Sequence, residues 1–430
     1  MNQMKRLLAL ALSLALSVTM FAGCSNQEGS SSSADASSSG STSEVEEIQP
    51  MDLTGVTDIY LATAGISADT PVAKVGDYEI TADSLLYWLN YNINYTLQQY
   101  SYMGVTEIPW DADANGKTAE QSLLDTALQL AAYYRILPEM GAQEGLSVSQ
   151  TTQDAIQAEM GLIQEELGSE DLLRSYFWMQ MMTPELYQEM CAAGDYNTML
   201  LETYFGEGSE GYPTDAEVLA FAEEELGYYR AKHILLLTKD MNEQVTNEDG
   251  TVGYAPLDEE TVAAKKALAD DLYAQLEGAS DPITLFDSLM NEHSEDSGLA
   301  AYPDGYTAYK GQMVPEFEET ALALQDGEIS QVVESDYGYH IILRLPLDPA
   351  DYRSTLASKR MEEKSNQWLE ELGVTTLDAY NQIDPSDYWD KVNSLTLAAY
   401  NEVQAALEAK AAEEESASSS SSAASSSAQG

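Results

Sequence analysis

Two apolar runs constrain the fold of this chain more than any other feature. YYRAKHILLL, residues 228–237, and YGYHIILRL, residues 337–345, are patterned as strands, and Pro346 ends the second. Each carries a histidine, in a chain that has only three. An imidazole inside an apolar strand must find a hydrogen-bond partner or lose free energy by desolvation. Ala231, His233, Leu235 and Leu237 share one face of the first run. If the two runs pair as neighbours, His233 and His340 meet, and each supplies the bond that the other needs. Between them lie an amphipathic helix from Asp258 to Gly278, a helix in DPITLFDSLMNEHSED, a third in VPEFEETALAL, and a short strand in SQVV. Strands at both ends with helices between them predict a compact α+β domain of roughly a hundred residues.

The flanks read differently. PVAKVGDYEITADSL, from Pro71, predicts a strand, a turn at Gly76 and Asp77, a second strand ending at Ile80, and a helix capped by Thr81 with Asp83 in its first turn. Leu85, Leu89, Ile93 and Leu97 give that helix an apolar stripe. Ser147 with Gln150, and Thr214 with Glu217, stand in capping-box spacing, and the first of these helices closes at Gly168. After Pro346 the helical pattern returns in LASKRMEEKSNQWLEEL and NSLTLAAYNEVQAALEAKAAEEE. The α+β module, residues 228–347, is therefore inserted between helical segments, 71–227 and 348–412, that are expected to pack together.

The N-terminus has Lys5 and Arg6, an apolar run from Leu7 to Ala22, and small residues before Cys24. This predicts a secretory signal over residues 1–23, with an apolar run short for a membrane span. FAGC resembles a lipobox, with Phe21 where leucine is usual. That resemblance implies a lipid on Cys24 and attachment to the extracytoplasmic face of the cell membrane. Residues 24–70 read as a Ser-rich acidic tether and 413–430 as a disordered Ser/Ala tail, neither having much to bury. With Cys24 acylated, the other cysteine, Cys191, has no disulfide partner; no basic group flanks it, so it reads as a buried apolar thiol.

Lys and Arg number 19 against 73 Asp and Glu, a net charge of -54. Such a field opposes nucleic acid and any anionic bilayer approached through a protein patch; it suits either basic or neutral unfolded clients or a solvated acidic surface with no functional meaning. Two local patterns carry less. DADANGKTAEQS, residues 111–122, begins like a calcium loop, but Ser122 stands where the bidentate glutamate belongs, and it reads as a polar turn. YWLNYNINYTLQQYSYM, residues 87–103, suits either ordinary helix packing or a surface for extended clients.

Four ordered blocks, AKHILL, EHSEDSG, GQMVPEFEETALALQDGEIS and DYGYHIILRL, together resemble a parvulin-type peptidyl-prolyl isomerase domain over about residues 228–347. With the signal and the helical flanks, the chain is similar to foldase lipoproteins of the PrsA type and to the periplasmic chaperone SurA. The resemblance implies a four-stranded antiparallel sheet with helices, and isomerisation of Xaa–Pro bonds in unfolded or partly folded secreted proteins, with no metal or cofactor. It implies catalytic roles for His233, Asp296 and His340, with Met313 and Phe317 forming the pocket for the proline ring; His293 is a neighbour of the site. An envelope-assembly lipoprotein in which the parvulin part mediates homodimer contacts has no sequence feature to support it. There are departures. Tyr337 stands where many parvulins place Ser or Thr, with Ser335 out of that register. The Gly-Gly-Asp-Leu-Gly segment becomes YPDGYTAYKG, leaving Ala308 or Tyr309 near its aromatic position. LTKDMNEQVTNEDG, after the first strand, is acidic, which disfavours phosphorylated substrates. These departures support an alternative, a non-catalytic chaperone or client-binding lipoprotein that keeps the parvulin scaffold.

Overall fold

The computed structural model describes residues 48–114, 116–246 and 250–426. The expected signal, Cys24 and the Ser-rich stretch through residue 47 lie outside the described residues. Two compact units emerge: residues 212–358, and a second unit built from the described chain through Gly211 and from Lys359 onward.

In the central unit, α1 (Asp215–Ala220) starts on a complete capping box between Thr214 and Glu217 and passes into a π-helical turn, Phe221–Glu225. Then follow β1 (Tyr228–Leu237), a hairpin of β2 (Lys239–Thr246) and β3 (Val252–Pro256), α2 (Glu259–Glu277) and α3 (Pro282–His293). The order closes with β4 (Tyr306–Tyr309), α4 (Pro315–Ala323), β5 (Val333–Glu334) and β6 (Gly338–Leu345). The antiparallel sheet has the order β4-β1-β6-β5, so the two histidine strands are its central pair. Two expectations change here. The acidic stretch after β1, for which no strand is expected, enters the β2–β3 hairpin, whose strands show no buried face that a sequence pattern would reveal. SQVV contributes only Val333 to β5; ahead of it, Ile329 bridges Leu343, while the Ser330 hydroxyl accepts from the Ile342 N–H at 2.9 Å in place of a ladder carbonyl.

Period-two alternation gives the sheet two different faces. Ile234 and Leu236 of β1 and Tyr339, Ile341 and Leu343 of β6 pack against α2 and α3 through Leu272, Leu276, Phe286 and Leu289. The opposite face carries Tyr229, Ala231 and Ile342, covered by Phe317 and Ala321 of α4. β6 is buried from Gly338 through Arg344, as befits a central strand covered on both sides.

In the second unit, strands Pro71–Val75 and Tyr78–Thr81 lead into the helix Ala82–Tyr102. Thr81 sits at the N-cap as expected, but its hydroxyl donates to Asp83 Oδ1 at 2.5 Å instead of capping. A third strand, Val374–Thr376, pairs with Pro71–Val75 and joins the two helical segments in one sheet. Further long helices include Ala119–Gln143, Gln150–Leu167, Pro184–Phe205, Arg353–Leu372 and Pro385–Ser426. The segments pack as expected: the buried Tyr388 hydroxyl donates to the Leu86 carbonyl at 2.8 Å.

Several sequence expectations are corrected in this unit. Ser149, not Ser147, caps the helix that ends at Gly168; its hydroxyl accepts from Thr152 N–H while its own N–H donates to Asp195 at 2.6 Å. The tether drawn to residue 70 contains a short helix, Ile59–Ala64, capped by Asp58. Its Ile59 and Tyr60 are fully buried, and the Tyr60 hydroxyl donates to the Met181 carbonyl, so this stretch belongs to the core. The backbone of the last helix continues to Ser426, into the Ser/Ala tail, because extending an existing helix costs little per residue. The aspartate-rich stretch forms a small hairpin of Asp113–Ala114 with Lys117–Thr118, in which Gly116 N–H donates to Asp113. Cys191 is half-buried, and burial pushes its thiol up from the ordinary range.

Candidate active site

Antiparallel register places His233 opposite Ile342 and His340 opposite Leu235, so the imidazoles are diagonal neighbours on one face. Their Nδ1 atoms stand 3.0 Å apart, with the rings nearly parallel at 17°. Asp296 arrives from a loop that takes the place of a strand. β4 pairs with β1 only over Tyr228–Ala231, and beyond that point the segment after α3 continues along the same edge. There Glu295 N–H donates to Leu235 O at 2.8 Å, and Leu235 N–H donates to Ser294 Oγ at 3.1 Å. This stitching leaves Asp296 Oδ2 3.0 Å from His233 Nε2.

Two further residues complete the set. Tyr306 donates its hydroxyl to Asp296 Oδ2 at 2.5 Å, and Ser335 Oγ lies 2.7 Å from His340 Nε2. The Gly298 N–H donates to Asp296 Oδ1 at 2.9 Å. An ionised carboxylate only accepts, and each neutral imidazole donates once and accepts once. With Asp296 ionised, the proton order is Ser335 O–H to His340 Nε2, His340 Nδ1–H to His233 Nδ1, and His233 Nε2–H to Asp296.

The charge states agree with that order. Burial, and then the neighbouring His233, push His340 down from 6.5 to about 3, so it is neutral at physiological pH. Burial would raise the Asp296 carboxyl, but hydrogen bonds from His233, Tyr306 and the Gly298 N–H outweigh it and hold the group well below the carboxylate range. The same carboxylate, with burial leading, pushes the Tyr306 phenol up. A linkage effect follows. A base whose folded pKa lies below its unfolded one stabilises the fold above the unfolded value and loses that contribution as pH falls through the folded one. The central unit is thus expected to lose on the order of a few kcal/mol between pH 6.5 and about 3, measurable as a falling urea midpoint. His340→Asn should flatten that decline.

Beneath the polar chain, the Phe317 ring lies edge-on to both imidazoles, with centroids 5.2 Å from His233 and 5.9 Å from His340. Phe317 is 3% exposed and caps the cluster of Tyr229, Ala231, Ala308 and Ile342; Met313 joins that cluster partly buried. The structure thus brings His233, Asp296, His340 and Phe317 together, with Met313 in the same cluster, while Cys24 lies outside the described residues. His293 is the last residue of α3 and makes no bond to this chain of groups.

Tyr337 does not take the serine or threonine place. It is 38% exposed, while Ser335 turns back over His340. The cause is the tight β5–β6 turn, closed by Ser335 N–H to Gly338 O at 2.9 Å and Gly338 N–H to Ser335 O at 3.2 Å. Two residues of sequence offset disappear in that turn. Ala308 is buried in the Phe317 cluster, whereas Tyr309 is exposed and packs against Tyr228. Sequence reasoning missed Tyr306; the only signal for it was a tyrosine inside the altered glycine segment.

Ser335, His340 and a distal carboxylate superficially resemble a nucleophilic relay. An imidazole held at about 3 is too weak a base to draw a proton from serine at neutral pH, and the arrangement favours chemistry that breaks no bond.

Residues 233–345 match the family model for the PPIC-type PPIase (rotamase) domain. The foldase protein PrsA of Staphylococcus aureus strain Newman is 27% identical over 205 residues, covering 47% of this chain and 55% of that protein. The chain thus spans about half the length of the curated relatives it matches. Among solved structures, PrsA from Bacillus subtilis covers 62% of this chain and 90% of its own at 21% identity and a TM-score of 0.21. NmPin, the parvulin of Nitrosopumilus maritimus, covers 28% and 97% at 26% identity and a TM-score of 0.19. The central unit of this chain therefore contains a PPIC-type peptidyl-prolyl isomerase domain of the parvulin family, in a chain similar to PrsA foldases.

Proposed function

We propose that this chain is a membrane-anchored extracytoplasmic foldase that isomerises Xaa–Pro bonds in secreted proteins and holds them while they fold. The observation that carries the reading is a polar chain saturated with its own hydrogen bonds above the Phe317 ring. Rotation about a prolyl amide is opposed by about 18–20 kcal/mol of resonance. The twisted amide has lost conjugation and is less polar than the planar one, so a site that strips water from the bond favours it relative to solvent. Phe317 and Met313 hold the proline ring, while His233, Asp296 and His340 supply a rigid floor whose hydrogen bonds are made among themselves. None of these steps calls for a metal or cofactor.

The holding activity is supported by apolar side chains at the end of the helix Ala82–Tyr102 and just beyond it. Tyr95, Tyr102, Met103 and Val105 are all exposed there, and aromatic groups of this kind suit extended chains. Among the described residues no helix is long and apolar enough to cross a membrane, and anchoring is assigned to a lipid on Cys24. Cys24→Ser should release the protein from membranes.

The test is refolding of a denatured secreted protein whose slow phase is limited by proline isomerisation. The full chain is expected to accelerate that phase and to suppress aggregation, and His340→Ala to lose only the acceleration. Suppression without acceleration by the parent chain would instead establish the non-catalytic chaperone.

A further inference from the structure

The hydrogen-bond chain across the site has two self-consistent directions. In the first, Asp296 is ionised, His233 carries its proton on Nε2 and His340 on Nδ1. In the second, a protonated Asp296 donates to His233 Nε2, His233 Nδ1–H donates to His340, and His340 Nε2–H donates to Ser335. The second state has the same heavy-atom contacts and one more proton, so distances alone do not separate the two.

We propose that Tyr306 is the positioning residue that fixes this direction, by holding Asp296 as a carboxylate through a second donor on the oxygen that His233 uses. This rests on the isomerase reading of the site and deepens it. Two donors converge on Asp296 in addition to His233 Nε2 at 3.0 Å, the Tyr306 hydroxyl on Oδ2 and the Gly298 N–H on Oδ1. Convergent donors select the ionised acceptor. Tyr306 is held for the task from both sides, packing at a 41° tilt against Tyr302 with centroids 5.0 Å apart and meeting the His233 ring edge-on at 6.0 Å. The backbone is shaped for it as well. A Cβ at position 298 would stand 2.1 Å from the Tyr306 hydroxyl, so glycine there admits the phenol. With the direction fixed, His340 presents Nδ1–H to His233 and keeps Nε2 as an acceptor for Ser335. Without Tyr306, Asp296 keeps the Gly298 N–H alone as a donor independent of the histidines, and the reversed order becomes accessible.

The chain's three histidines make the test direct, because 15N labelling of histidine in the full chain yields only three imidazoles. Two-bond nitrogen–proton correlations report which ring nitrogen carries the proton. The parent is expected to show protonated Nε2 on His233 and protonated Nδ1 on His340. Tyr306→Phe should add the opposite tautomer on both rings, leave His293 unchanged, and lower kcat on an Xaa–Pro peptide about tenfold with KM unmoved, the size of one lost charge-assisted bond. Gly298→Ala, which displaces the hydroxyl while keeping the phenol, should reproduce the signature and serves if Tyr306→Phe unfolds. Parental tautomers in both folded variants would overturn the proposal, as would the reversed order in the parent. A parent without isomerase turnover would overturn the isomerase reading, and the tautomer spectra would still decide the role of Tyr306.

Discussion

His340→Ala is expected to slow prolyl isomerisation by about a hundredfold, the usual effect of removing one preorganised polar group from a site. The substitution deletes the middle of the hydrogen-bond chain. His233 Nδ1 loses its partner at 3.0 Å and Ser335 Oγ its partner at 2.7 Å, both beside a ring 3% exposed. Each orphaned group costs about 1–3 kcal/mol, so the variant should also unfold at lower urea. Activity and stability then need separating. His340→Gln retains part of the polar contact and should recover more stability than activity, because a flexible amide does not reproduce a rigid imidazole. Turnover within about threefold of the parent in folded His340→Ala would remove the histidine pair from the mechanism.

Gly338→Ala is expected to be the most destabilising small substitution in the central unit. Gly338 sits at the turn into β6 with φ at +153°, and an added Cβ would lie 2.1 Å from the Leu236 carbonyl oxygen. That oxygen belongs to the neighbouring strand of the sheet and has no room to retreat. Relief requires the β1–β6 pair to open at the end where His340 follows two residues later, and Ser335 would swing away with the turn. A loss of about 3 kcal/mol or more is expected from urea unfolding, with activity lost as well. An unchanged midpoint would show that the turn is looser than this geometry implies.

Much of this site was legible because burying an imidazole in an apolar strand demands a partner. The demand pointed from His340 to His233 before any register was known, and the ordered blocks of the resemblance added Asp296, Met313 and Phe317. The parts that were not legible depend on turns and distant backbone. Ser335 was set aside because counting residues does not see the tight turn that folds it over His340, and Tyr306 because only the path of the loop brings it to Asp296. The strand Val374–Thr376 is exposed along its whole length and has no burial period to read. Ile59 and Tyr60 went unnoticed because the Ser-rich composition before them was extended past its true end. Local capping and periodicity were readable to within a residue or two, as Ser147 against Ser149 shows.

The most direct measurement is exchange spectroscopy by NMR on a short Ala-Pro peptide, with the full chain at catalytic concentration and neutral pH. Uncatalysed exchange takes tens to hundreds of seconds. The parent chain should bring cis–trans exchange into a measurable range, and His340→Ala should return it close to the peptide alone. Exchange no faster with the folded parent chain than without it would contradict the account and leave the parvulin unit a binding scaffold.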